Sequence, residues 1–190
     1  VTGTNGYPMK IPAEPPTRTI DRLSCYFTRS VPEAMRGFTF FHDPAAPAGK
    51  LPLSAFPQRV FEPARLGDRV PPVVTASAEF GDEKGAGEIG FGLSPRWQDD
   101  AAATAGCTGG CSVRSGPNGE VAIVHQATAA NGYRSISVTV YRGETVVLAV
   151  LTNGERAEPA AAPRPGRADL PITVDDLVRL ASAPQLALFP

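Results

Sequence analysis

Cys107 and Cys111, in the stretch GCTGGCSV (residues 106–113), are the residues of this 190-residue chain whose type and spacing most directly offer chemistry. Two cysteines so placed could be a redox pair, part of a metal site, a disulfide or two free thiols. Three intervening residues are one too many for the Cys-x-x-Cys redox motif, and the helix start that usually lowers a redox thiol's pKa is not visible here. Zinc takes four ligands at recognisable spacing, and Cys107, Cys111 and His125 leave that set short, so no metal and no cofactor is expected. A disulfide asks only that the sulfurs meet, and Gly109 and Gly110 give the loop the backbone freedom to let them.

Acid–base and nucleophilic chemistry has little to draw on. The chain has two histidines. His125 sits in a strand-like run where a structural role is expected, and His42, beside Asp43, is the better general base. The sequence carries no Walker loop and no Gly-x-Ser-x-Gly elbow. GAGEIG, residues 85–90, matches the dinucleotide fingerprint in letters. That motif must leave a strand and open a helix, whereas Gly92 and Pro95 follow here with strand-like spacing, so a hairpin is expected. The pairs Asp82/Glu83, Asp99/Asp100 and Asp175/Asp176 are adjacent in sequence, and neighbours on a strand point to opposite faces, unlike the facing pair of a glycosidase. Trp97, Asp99 and Asp100 share a loop and are the candidate ligand-binding residues, by ring stacking and cation or polar contact; against that stands Trp97 as a core or sheet-edge anchor.

The elements that must position these residues follow from periodicity. VVTASAEF alternates from Val73 to Phe80 with the period of two of a half-buried strand, and EIGFGLSPRW follows after a glycine-rich turn, which makes a hairpin. EVAIVHQAT, YRSISVTVYR and ETVVLAVLTN give three more strands joined by short Gly or Asn turns, and RGFTFFHD offers an edge strand. Ile20, Leu23 and Phe27 mark a short N-terminal helix, with Cys25 expected as a buried thiol on it. In ITVDDLVRLASAP, Thr173 is an N-cap with Asp176 as its capping-box partner, Leu177, Val178 and Ala181 form the apolar stripe, and Pro184 stops the helix. The expected fold is α+β: an antiparallel meander sheet of about five or six strands, with a short N-terminal helix and a C-terminal helix packed on one face. Residues 1–16 read as a tether and 17–190 as one domain, with a Pro-rich linker over 155–171.

Net charge is −1 and no basic run is present, which disfavours nucleic acid and anionic membranes as partners. No stretch reaches the roughly 20 apolar residues of a membrane span. The chain begins at Val1 and lacks a signal-peptide pattern, so a processed or truncated start, with any membrane contact through a missing N-terminal anchor, is expected.

Over Thr17 to Pro184 the chain resembles a group of actinobacterial exported or membrane-anchored proteins. FGDEKGAGEIGFGL, the later Cys-containing segment, the strands ending in LTNG and the closing PITVDDLVRLASAP carry the resemblance. It implies an extracytoplasmic domain, some of whose relatives accompany sigma factors as regulators, and it implies no catalytic residue. An oxidising compartment places a Cys107–Cys111 disulfide ahead of free thiols, metal or redox roles. The function expected is non-enzymatic binding or sensing of a protein, an envelope component or a small ligand. The alternative is a secreted hydrolase with its site near His42 and Asp43.

Overall fold

The computed structural model describes residues 14–44, 46–58, 73–155 and 164–189. The tether's residues 1–13 and the linker's residues 156–163 lie outside them. The fold is α+β, as the periodicity implies, with more strands than expected.

Helix α1, Pro16–Ala34, starts with proline in its first turn, where a missing N–H costs nothing. It tolerates Pro32 only because it ends two residues later. Its buried stripe is Thr19, Leu23, Phe27 and Val31. Cys25 lies on the opposite side and is exposed, which corrects the expectation of a buried thiol: the stripe advances in steps of four from Thr19, and residue 25 falls between two of them.

Eight strands form one antiparallel sheet. They are β1 (Thr39–Phe41), β2 (Phe56–Gln58), β3 (Val73–Asp82), β4 (Gly85–Pro95), β5 (Cys111–Ser115), β6 (Val121–Thr128), β7 (Arg134–Arg142) and β8 (Thr145–Thr152). The lateral order is β1-β3-β4-β8-β7-β6-β5, and β2 also pairs with β3. The β3–β4 hairpin and the β5–β8 meander are each consecutive, and they join where β4 pairs with β8. The outer edge of β3 is met in turn by β1 at Glu79–Gly81, by the Leu53 amide bonding the Ser77 carbonyl, and by β2 at Val73–Thr75. Two short strands, β9 (Gly154–Glu155) and β10 (Arg164–Pro165), pair beside the sheet. The GAGEIG match resolves as a hairpin whose first two glycines, Gly85 and Gly87, answer to packing. A Cβ on Gly85 would meet the Gly166 carbonyl at 1.9 Å, and one on Gly87 the Thr152 carbonyl at 2.4 Å.

Alternation decides what each face does. Val74, Ala76, Ala78 and Phe80 of β3, Ile89, Phe91 and Leu93 of β4, and Val147, Ala149 and Leu151 of β8 point to one side, with Ile136, Val138 and Val140 of β7 beside them. That side is covered by α1 and by helix α3, Val174–Ala181. At the start of α3 the Thr173 hydroxyl accepts from the Asp176 amide and the Asp176 carboxylate accepts from the Thr173 amide, the capping box read from the sequence. Tyr26 ties the two helices, its hydroxyl donating to the Leu180 carbonyl at 2.8 Å. Burial pushes that hydroxyl up to about 12, so it keeps its proton and the bond. Among the described residues no helix is long and apolar enough to cross a membrane.

One ion pair under this layer gives the fold an acid limit. The Glu120 carboxylate, almost wholly enclosed, faces Arg142 and accepts from the Asn118 amide and side chain, each at 3.0 Å. Burial alone would raise its pKa, but the Asn118 bonds and Arg142 outweigh it and hold the group below the usual carboxylate range. A depressed folded pKa contributes stability above the unfolded value of about 4.3 that is lost as pH falls through the folded one. Thermal melts should therefore show stability dropping below about pH 4, and Glu120→Gln should remove part of that slope; an unchanged slope would assign the acid limit to other carboxylates.

Candidate functional site

The second face of the sheet is the candidate site, because most of it has no described element above it. Helix α2, Asp100–Ala105, covers one end, where Ala103 packs on Ile123, Tyr141 and Val146 with Trp97 and both disulfide cysteines around it. Running out from the edge of the α2 cluster, the registers align two rows across the strands. One runs Thr75, Gly92, Leu148, Thr139, Ile123 and Val113, the other Ser77, Gly90, Val150, Ser137, His125 and Cys111. Where the rows cross β4 they contain only glycine. The result is a trough of about 260 Å³, floored by Gly90 and Gly92, walled by Phe56 and Ser77 on one side and Leu148 and Val150 on the other, with Asp43 also lining it. Leu148 is 42% exposed although it stands mid-sheet.

The glycines are not there for conformation. Neither Gly90 nor Gly92 has a positive φ. A Cβ on Gly92 would meet nothing within 4 Å and one on Gly90 only ordinary contacts, among the described residues. The strand thus forgoes side chains where ordinary ones would fit.

The residues singled out from the sequence fall elsewhere. Trp97 is half-buried, edge-on to Tyr141 with ring centroids 6.2 Å apart. Asp99 caps α2, its carboxylate accepting from the Ala102 amide at 2.7 Å, and Asp100 pairs with Arg96. The three therefore stand together at the α2 end of the face, each with a structural partner. His42 is exposed with Nδ1 3.0 Å from the Lys50 carbonyl, and it is Asp43, not His42, that lines the trough. His125 lies on the open face between Cys111 and Ser137. No group of three or more His, Cys, Asp or Glu among the described residues could hold a metal ion.

Cys107 and Cys111 are joined as a disulfide with Cα atoms 5.6 Å apart, and both glycines between them take positive φ, 59° and 96°. So short a loop restrains the unfolded chain by only about 2 kcal/mol. Alkylation of non-reduced, unfolded protein should label Cys25 alone, and reduction should lower stability by about that amount; labelling of all three cysteines in protein purified under oxidising conditions would refute the bond.

Comparison with protein-family models, with curated protein sequences and with solved structures found no match.

Proposed function

We propose that this chain is a non-enzymatic extracytoplasmic binding or sensing domain of an exported or membrane-anchored protein, and that it meets its partner on the open sheet face. The observation that carries the reading is the pair Gly90 and Gly92. A glycine inside a strand costs about 0.5–1 kcal/mol relative to alanine. Where, among the described residues, neither φ nor crowding requires it, such a glycine suits a place where another molecule approaches the backbone closely. The apolar walls Leu148 and Val150, beside the hydroxyl of Ser77, offer a partner burial with an orienting hydrogen bond. The Cys107–Cys111 bond supports an oxidising compartment. The regulatory role alongside a sigma factor rests on the resemblance of FGDEKGAGEIGFGL, LTNG and PITVDDLVRLASAP.

Gly92→Leu puts a side chain into the trough from a position whose Cβ would meet nothing within 4 Å among the described residues, and tests the reading. In thermal-shift and NMR titrations with peptidoglycan fragments and extended apolar peptides, compounds that bind the wild type should lose binding to Gly92→Leu while the variant melts within a few degrees of wild type. Equal binding by the variant would exclude the trough. Hydrolysis of nitrophenyl ester, nitroanilide peptide or nitrophenyl glycoside probes that disappears in His42→Ala would replace this reading with the hydrolase.

A further inference from the structure

On the far side of the molecule from the trough, the outward face of α1 has no described partner and carries a charge pattern that is complementary to itself. Reading along that face, Arg18, Asp21, Cys25, Arg29 and Glu33 are all exposed. Asp21 and Arg29 stand four residues before and four after Cys25, which puts each about 6 Å from it along the axis and on the same side of the helix. Arg18 and Glu33 lie seven before and eight after. The partners within the chain are loose: Arg18 reaches Glu14 only at 3.9 Å, and Arg29 reaches Glu33 at 3.4 Å with both side chains more than half exposed.

A second copy of α1 laid antiparallel across the first, with the twofold axis at Cys25, sets residue 25−n level with residue 25+n of its mate. Asp21 then meets Arg29 of the second copy, and Arg18, level with Pro32, stands one residue from Glu33, so that opposite charges lie near each other at four places. At the axis the two Cys25 side chains coincide, and helices crossing there bring their Cα atoms into the roughly 4.4–6.8 Å that a disulfide spans. The remaining cysteines are already joined to each other, which leaves Cys25 as the odd thiol.

We propose that the outward face of α1 is a homodimer interface sealed by a Cys25–Cys25 disulfide between two copies of this chain. The oxidant is a low-molecular-weight disulfide. One Cys25 thiolate attacks it, forming a mixed disulfide and expelling the first small thiolate. The second chain's Cys25 thiolate then attacks the Cys25 sulfur of that mixed disulfide and expels the second. Two protein thiols are oxidised, the donor disulfide is reduced to two thiols, and the two protons end on those thiols. The ion pairs set the orientation and speed the encounter, and the covalent bond holds it, since exposed pairs alone contribute little.

The test uses the full chain with Cys107–Cys111 intact, incubated with oxidised glutathione and followed on non-reducing gels and by intact mass. A species of twice the chain mass should form and be absent in Cys25→Ser, whose exposed position leaves the fold intact by circular dichroism. Asp21→Arg should slow its formation at low salt by about fivefold, and Asp21→Arg with Arg29→Asp should bring it back to within about twofold of wild type, because the pair is restored with its signs exchanged. Molar salt should slow the wild type and leave Asp21→Arg nearly unchanged. Accumulation of the glutathione mixed disulfide without dimer would overturn the proposal. So would a dimer whose rate ignores Asp21 and salt, which marks random collision, or a dimer that persists in Cys25→Ser.

Discussion

Phe27→Ala should lower the unfolding free energy by about 3–5 kcal/mol, measured by reversible urea denaturation. The side chain is fully buried, stacks on Phe91 of β4 with centroids 4.6 Å apart, and has Tyr26 edge-on at 5.3 Å. Leu23 and Val31, also fully buried, flank it on the same stripe of α1. Truncation leaves a hole at the middle of the contact between helix and sheet, where neither a rigid sheet nor a helix anchored on both sides can collapse into it. Against a total of about 5–15 kcal/mol for an ordinary domain, that is a large share. A loss below about 1 kcal/mol would mean that α1 does not dock on β4 as described, and the interface on its outer face would lose its platform with it.

Asn153→Asp should be comparably severe, at about 3 kcal/mol or more. Asn153 is fully buried just after β8, and it bonds in several directions at once. Its side-chain oxygen accepts from the Arg134 amide at 2.6 Å, and its side-chain nitrogen donates to the carbonyls of Gly132 and Arg167 at 3.0 and 2.9 Å. Its own carbonyl accepts from the amides of Gly166 and Arg167. The aspartate keeps the shape, removes both side-chain donors and sets a carboxylate oxygen against two carbonyls. Each orphaned acceptor costs about 1–3 kcal/mol, and a charged group more. The pH dependence separates the charge from the lost donors. The introduced carboxyl has a folded pKa raised above its unfolded value of about 3.9, so the deficit should shrink as pH falls through the folded pKa. A deficit below 1 kcal/mol, or one that grows on acidification, would show that the amide does not clamp these segments.

The contrast between Asn153 and its surroundings shows what was legible in the chain. Thr173 and Asp176 announced their capping box because its parts lie three residues apart, and the long strands announced themselves by alternation. Strand β2 was hidden by Pro57, tolerated because it lies on the sheet's outer edge, and β5 by a run of mostly exposed residues that shows no alternation in burial. The Asp99 cap and the alanines after it are a helix start written in the local sequence, though the helix they open is only six residues long. The trough was half visible: the alternate glycines of EIGFGL stand on the polar side of a strand, yet their meaning depends on Leu148 and Val150, which reach them only when β4 pairs with β8. Cys25 could have been placed by continuing the Leu23, Phe27, Val31 stripe, which leaves residue 25 outside it.

That β4–β8 seam also decides how the chain assembles in time. The hairpin and the meander each grow from neighbours in sequence, but the seam ties residues as far apart as Glu88 and Thr152, a separation of 64. Closing so long a loop costs entropy before any contact rewards it, so the seam should form after the hairpin and the meander that it joins. Neither half buries its apolar face alone, and until they meet the edges of β4 and β8 stand unpaired, so the interval before the seam closes is when this chain is most open to association with other strands.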